Sequence, residues 1–202
     1  MVLAFAGCSD DPGHRPSDTD PPSTTGAPST TLATGRFDLA RGSSPVVGTG
    51  RLRTYSVEVE TGTGVDPPDF ARAVDATLAD SRGWTADETI ALQRVPTRSV
   101  DFRIVLATPA TTDELCAPLR TKGEQSCHNR GLVVINLYRW LEGAAPSGLP
   151  LVDYRRYVVS HEVGHALGHG HVGCPGAGMP APVMMQQTIS IGACTPNPWP
   201  NP

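Results

Sequence analysis

Strand-like alternation, helical spacing and a β-branched run point to a mixed α/β (α+β) fold. Residues 52–60 alternate apolar and polar side chains with a period of two, as a half-buried strand does. Asp66-Pro67-Pro68 opens a stretch that carries Phe70, Val74 and Leu78 at helical spacing. Residues 132–137 are nearly all apolar and β-branched, which suits a central strand, and a second helical stretch follows from about 151 to 167. Strand, helix, strands, helix, with no internal repeat, is the order of a mixed twisted sheet with two main helices.

The elements follow along the chain. In 52–60, Tyr55, Val57 and Val59 share one face, with Thr54, Ser56, Glu58 and Glu60 on the other. Asp66 is the expected N-cap of the first helix and Gly83 sits where that helix would stop. Residues 89–95 make a possible strand, and 101–107 a better one with Phe102, Ile104 and Leu106 on one face. Residues 108–130 have no convincing strand pattern. The folded domain is expected over 37–195, with 196–202 as a disordered tail.

Ahead of that domain, 22 of the 27 residues from 9 to 35 are Pro, Ser, Thr, Gly or Asp. A segment so poor in apolar side chains cannot offset its ordering entropy, so 9–36 is expected to be a disordered linker. Residues 1–7 are small and apolar, and Cys8 follows at once. This resembles the end of a bacterial lipoprotein signal, in which a small-residue box precedes a lipidated cysteine, with Phe5 standing where Leu is usual. Residues 1–8 are therefore read as a remnant of such a signal. The expected location is extracytoplasmic, either lipid-anchored on the outer face of the plasma membrane or secreted.

Charge excludes one class of partner. Lys and Arg number 16 against 20 Asp and Glu, the net charge is −4, and Lys122 is the only lysine. No basic cluster exceeds Arg155-Arg156, so a surface that tracks nucleic-acid phosphates is not expected. No run of 18 apolar residues occurs, so the chain is expected to meet a membrane only through a lipid anchor. It is read as a monomer.

The strongest chemical signal is HEVGHALGHGH at 161–171. On a helix His161 and His165 lie one turn apart on one face, so both imidazoles can bind one metal. Glu162 sits on the shoulder of that face, close enough to reach a metal-bound water without ligating. A catalytic zinc needs three protein ligands and an open position. Gly168 can take the left-handed conformation that ends the helix, and Gly170 adds freedom, so the chain can turn back and present His171. His169 competes for that place. On a continued helix it would lie about 12 Å along the axis from His161, so it is assigned to the rim.

HExxHxxGxxH is the signature of the metzincin zinc peptidases, and His161, Glu162, His165, Gly168 and His171 fill its fixed positions. Metzincins also have a methionine turn beneath the metal. PAPVMMQ at 180–186 resembles it, with Met184 in the Met place 13 residues after His171 and Met185 as a substitute. Gln186 stands where some metzincins carry a transition-state tyrosine. More broadly, residues 43–50, the histidine stretch and PAPVMMQQT at 180–188 resemble an actinobacterial family of secreted or lipid-anchored proteins of unknown function. The resemblance covers about 37–195 and implies a metzincin-like domain whose second helix carries the zinc ligands.

Five cysteines in an exported chain suggest two disulfides and one odd residue, Cys8. Of the three pairings open to the others, the local ones are favoured, Cys116 with Cys127 and Cys174 with Cys194. The first would close a polar loop, worth about 3 kcal/mol. Alternatively Cys174 approaches the metal as a fourth ligand and silences it. The expected function is zinc-dependent hydrolysis of a peptide or protein substrate, with Glu162 as general base. The alternatives are a silent zinc-fold scaffold lipoprotein and a zinc hydrolase of cell-wall peptides. His14, His128 and the edge strand expected beside a metzincin cleft have no assigned place.

Overall fold

The computed structural model describes residues 33–202; Cys8, His14 and most of the expected linker lie outside them. The described residues form a mixed sheet of seven strands with four α-helices. The strands are β1 (Phe37–Leu39), β2 (Val47–Gly48), β3 (Arg51–Glu60), β4 (Ile90–Arg94), β5 (Phe102–Ala107), β6 (Cys127–Asn129) and β7 (Leu132–Asn136). The helices are α1 (Pro67–Leu78), α2 (Pro109–Cys116), α3 (Leu137–Glu142) and α4 (Leu151–Ala166). The sheet order is β2-β4-β3-β5-β7-β6, with β1 also pairing β3. β3, β4, β5 and β7 are mutually parallel where they pair, whereas β1, β2 and β6 are antiparallel to their neighbours.

Strand alternation divides the interior. Tyr55, Val57, Val59, Phe102, Ile104, Leu106, Val133 and Ile135 face α1 and α4, and together form the main core. Val105, Ala107 and Val134 face the other way, and with Cys116 and Cys127 form a smaller core under α2. α1 begins as its sequence dictates. The Asp66 side chain accepts from the Asp69 amide at 3.2 Å, prolines fill the first turn, and Phe70, Val74 and Leu78 are buried. It ends at Leu78 rather than at Gly83, which lies in the following turn and donates to Asp80 O at 2.8 Å.

Three further expectations are corrected. β3 is not half-buried: Ser56, Glu58 and Glu60 are each 0% exposed. Glu58 takes the guanidinium groups of Arg103 and Arg98 at 2.6–2.9 Å. Glu60 accepts from Thr108 N, Thr111 Oγ1, Thr34 N and Gly35 N at 2.7–2.9 Å. The polar face of β3 is thus a paired polar interior, and Thr34 and Gly35, expected in the linker, are tied to it. Residues 108–130, without a legible pattern, contain α2 and β6. α2 opens on a Thr108 cap and Pro109, and β6 is a three-residue strand too short to show alternation. Two helices beyond the two main ones therefore occur.

Residues 196–202 are not a loose tail. Trp199 and Asn197 are buried. The Asn197 side-chain amide donates to Ala181 O and Trp199 O, and its backbone exchanges two hydrogen bonds with the Gln187 side chain. Arg82 stacks over Trp199 with its guanidinium carbon 4.2 Å from the ring centroid, and Asn201 N donates to Arg82 O. Tryptophan and asparagine supply anchors that a count of prolines hides.

Cys116 is bonded to Cys127 and Cys174 to Cys194, the local pairing in each half. Two disulfides point to an extracytoplasmic protein. No described helix is long and apolar enough to cross a membrane.

Burial alone would raise Glu58 and Glu60, but their hydrogen bonds outweigh it and hold both below the ordinary carboxylate value of 4.5. The stability they contribute is complete above that value and is lost as pH falls through the lowered ones. Thermal unfolding should therefore shift to lower temperature as pH drops below about 4.5. The double variant E58Q/E60Q, weaker at neutral pH, should show a shallower acid limb; an unchanged limb would put the acid-sensitive groups elsewhere.

Candidate metal centre

α4 carries the first two histidines and ends to position the third. Gly168 N donates to His165 O at 3.1 Å and His169 N to Gly164 O at 2.9 Å, the paired bonds of a Schellman cap. Gly168 has φ +101°, a conformation that favours glycine. The chain then reverses, and His171 comes back to the helix. Its Nε2 lies 3.3 Å from His161 Nε2 and 3.0 Å from His165 Nε2. All three offered nitrogens lie within 4.8 Å of one another.

Two backbone carbonyls decide what these rings can do. His161 Nδ1 lies 2.8 Å from Val183 O, and His165 Nδ1 lies 2.8 Å from His169 O. A carbonyl only accepts, so each Nδ1 carries the proton and each Nε2 presents a lone pair. The single N–H that a neutral His171 can offer cannot serve both lone pairs. Burial, the larger effect, and its histidine neighbours hold the His161 pKa down to about 4 against the help of Val183 O, so it is neutral. Three convergent imidazole nitrogens that cannot all satisfy one another can serve as the donor set of a metal ion. For nitrogens about 2.0–2.1 Å from a tetrahedral ion, adjacent ones stand about 3.3–3.4 Å apart, close to the two distances from His171.

Glu162 is buried beside them and lines the same cleft, whose volume is about 420 Å³. Its carboxyl has no hydrogen-bond partner among the described residues, and burial pushes its pKa up to about 8. Positive charge at the neighbouring imidazoles would draw it down again. Cys174 is held in its disulfide and is not a thiolate for the metal.

Met184 is buried below α4. A Cβ added at Gly164 would collide with Met184 Sδ and lie 2.6 Å from Trp84 Cζ2, so the absence of a side chain there lets the turn pack against the helix. Val172 N donates to Met184 O at 3.2 Å, joining the segment after the third histidine to the same turn. Met185 is only partly buried, and Gln186 is exposed at the cleft.

A family model described as a protein of unknown function, DUF3152, matches residues 23–195. The chain belongs to the DUF3152 family. No curated protein and no solved structure matches it. Within this DUF3152 domain, three residues that pattern reading leaves unassigned complete the site. Tyr157, one turn before His161, donates to Met185 O at 2.9 Å and accepts from Gln187 N at 2.8 Å. Trp84 donates to Ser160 O at 2.8 Å and stacks on His169 with centroids 4.3 Å apart, steadying the residue whose carbonyl orients His165. His169 is exposed on the rim and acts through its backbone. His128 lines the cleft from β6. Helical spacing could have flagged Tyr157; Trp84 and His128 meet the site only through the fold.

Two outcomes follow. Zinc in hundredfold excess over its dissociation constant should stabilise the native chain by about 2.7 kcal/mol, and H165A should abolish this gain. Thermal unfolding with and without a chelator reads both. Gly164→Ala should cost about 1–3 kcal/mol by overpacking the turn, measured by denaturant unfolding.

Proposed function

We propose that this DUF3152 domain is a metzincin-like zinc metallopeptidase that hydrolyses peptide bonds outside the cytoplasm. The observation that carries the reading is the buried carboxyl of Glu162, unpaired in the cleft beside three convergent imidazole nitrogens. A desolvated carboxyl without a partner costs stability, and a pure scaffold gains nothing from it. That weighs against a silent binding lipoprotein.

His161, His165 and His171 would hold the zinc. When bound, it would polarise the scissile carbonyl and lower the pKa of an attacking water. Glu162 takes a proton from that water and passes it to the leaving amine, a role worth about 10²–10⁴-fold. The walls of the cleft offer a docking edge. β6 is the last strand of its sheet, and residues 126–128 line the cleft. Asn129 and Leu132 flank a two-residue turn and form a bonded pair, so alternation leaves the His128 N–H and C=O free on the open edge. A substrate in extended conformation can pair there. In this reading Cys8 remains the lipid attachment point and the Pro/Ser/Thr-rich stretch the tether, with the protein acting as a monomer.

The test uses the full chain, zinc analysis and a diverse peptide library. The native protein should hold one zinc and cleave a subset of peptides. Glu162→Gln should keep the zinc and lose at least about 10²-fold in kcat/KM. Zinc in both forms with cleavage in neither would refute the peptidase reading.

A further inference from the structure

We propose that His128 is a further catalytic residue, donating a hydrogen bond from its imidazole to the substrate carbonyl oxygen as that oxygen gains charge. The proposal rests on the peptidase reading and deepens it.

The placement comes from the sheet. Cys127 points toward α2, where it is bonded to Cys116. His128, the next residue of the strand, therefore points to the opposite face, the one that α4 covers. There it lines the cleft together with Glu162 and the three histidines. It is not among the grouped ligand atoms, so it stands beyond metal-binding reach of that cluster. This is the position of a group that meets the substrate rather than the metal.

Among the other polar side chains, Gln125 also lines the cleft without a side-chain hydrogen bond among the described residues, but it precedes β6 and no strand pairing holds it. Thr121 donates to Asp113; Ser126 Oγ is held toward the sheet by the hydrogen bond it accepts from Asn136 N, with its O–H still free to donate. Tyr157 is committed to the turn at 185–187, and Thr188 is bonded to Tyr154. Arg120 and Gln186 are exposed at the mouth. His128 is half-buried, rides on a hydrogen-bonded strand, and has no hydrogen-bond partner for its ring among the described residues. Burial, with the nearby His165 adding to it, holds its pKa below the usual histidine value, so it stays neutral and keeps one N–H to give. A fixed donor aimed at developing charge is worth about 10²-fold or more in a water-poor site. The exposed Gln186, which stands two residues after Met184, is a poor source of such a donor because its side chain is free to move in water.

The test uses the full-length zinc-loaded chain and an N-capped dipeptide phosphonamidate. Its tetrahedral phosphoryl oxygens carry the charge that the carbonyl oxygen acquires on attack by water. His128→Leu should keep one zinc per chain, bind the phosphonamidate about 10²-fold more weakly, and lose kcat by a similar factor with KM changed by less than about threefold. His128→Gln, which retains an N–H, should recover part of both losses. In the unsubstituted protein, nitrogen-15 labelling should show a hydrogen-bonded His128 ring N–H that forms when the phosphonamidate is added, a readout that needs no variant to fold. Unchanged phosphonamidate affinity in His128→Leu, with the native protein active, would overturn this assignment and leave the peptidase reading standing. Loss of zinc in that variant would overturn it too, by making His128 a ligand. A native zinc protein that neither binds the phosphonamidate nor cleaves any peptide would overturn both.

Discussion

The centre depends on two backbone carbonyls, those of Val183 and His169, each accepting from an Nδ1 of a helix histidine. They fix the tautomers, and with the tautomers they fix the direction of the lone pairs. Everything around them keeps these two oxygens in place. The Schellman cap at Gly168 sets His169, and the stack on Trp84 holds it. The turn at 182–185 sets Val183, pinned by Tyr157 from the helix side and by Gln187 and Asn197 from the C-terminal side. The Cys174–Cys194 disulfide then closes a segment with few apolar anchors of its own.

The sheet gives this assembly its footing by being closed on both faces. α4 lies on the larger core, and the opposite face joins the smaller core under α2 to a polar stretch of β3 in which Glu58 and Glu60 are paired. Buried carboxylates are tolerated there because every one has strong donors. Glu162 is the exception, the carboxyl that burial leaves without a partner. That contrast within one domain is what singles out Glu162 among the buried carboxyls as the candidate for proton transfer.

What the sequence made legible, and what it hid, follows from the range of each interaction. The three histidines, Glu162 and Gly168 lie within eleven consecutive residues, so helical geometry and one glycine suffice to bring them together. β5, β7, α1 and α4 carry enough apolar residues to show a period. β6 has three residues and no period to show; its identity comes from the turn at Arg130-Gly131 and from pairing with β7. The burial of Glu58 and Glu60 could not be read because their partners, Arg98, Arg103 and Thr108, lie some forty residues away. The anchoring of Trp199 was hidden for the same reason, since Arg82 meets its ring only in the fold.

Zinc K-edge absorption on the full-length protein reads the ligand shell itself. Three imidazole nitrogens at about 2.0–2.1 Å with one further light atom, and no sulfur, are expected. A shell containing sulfur at about 2.3 Å, or fewer than three imidazoles, would contradict the three-histidine centre.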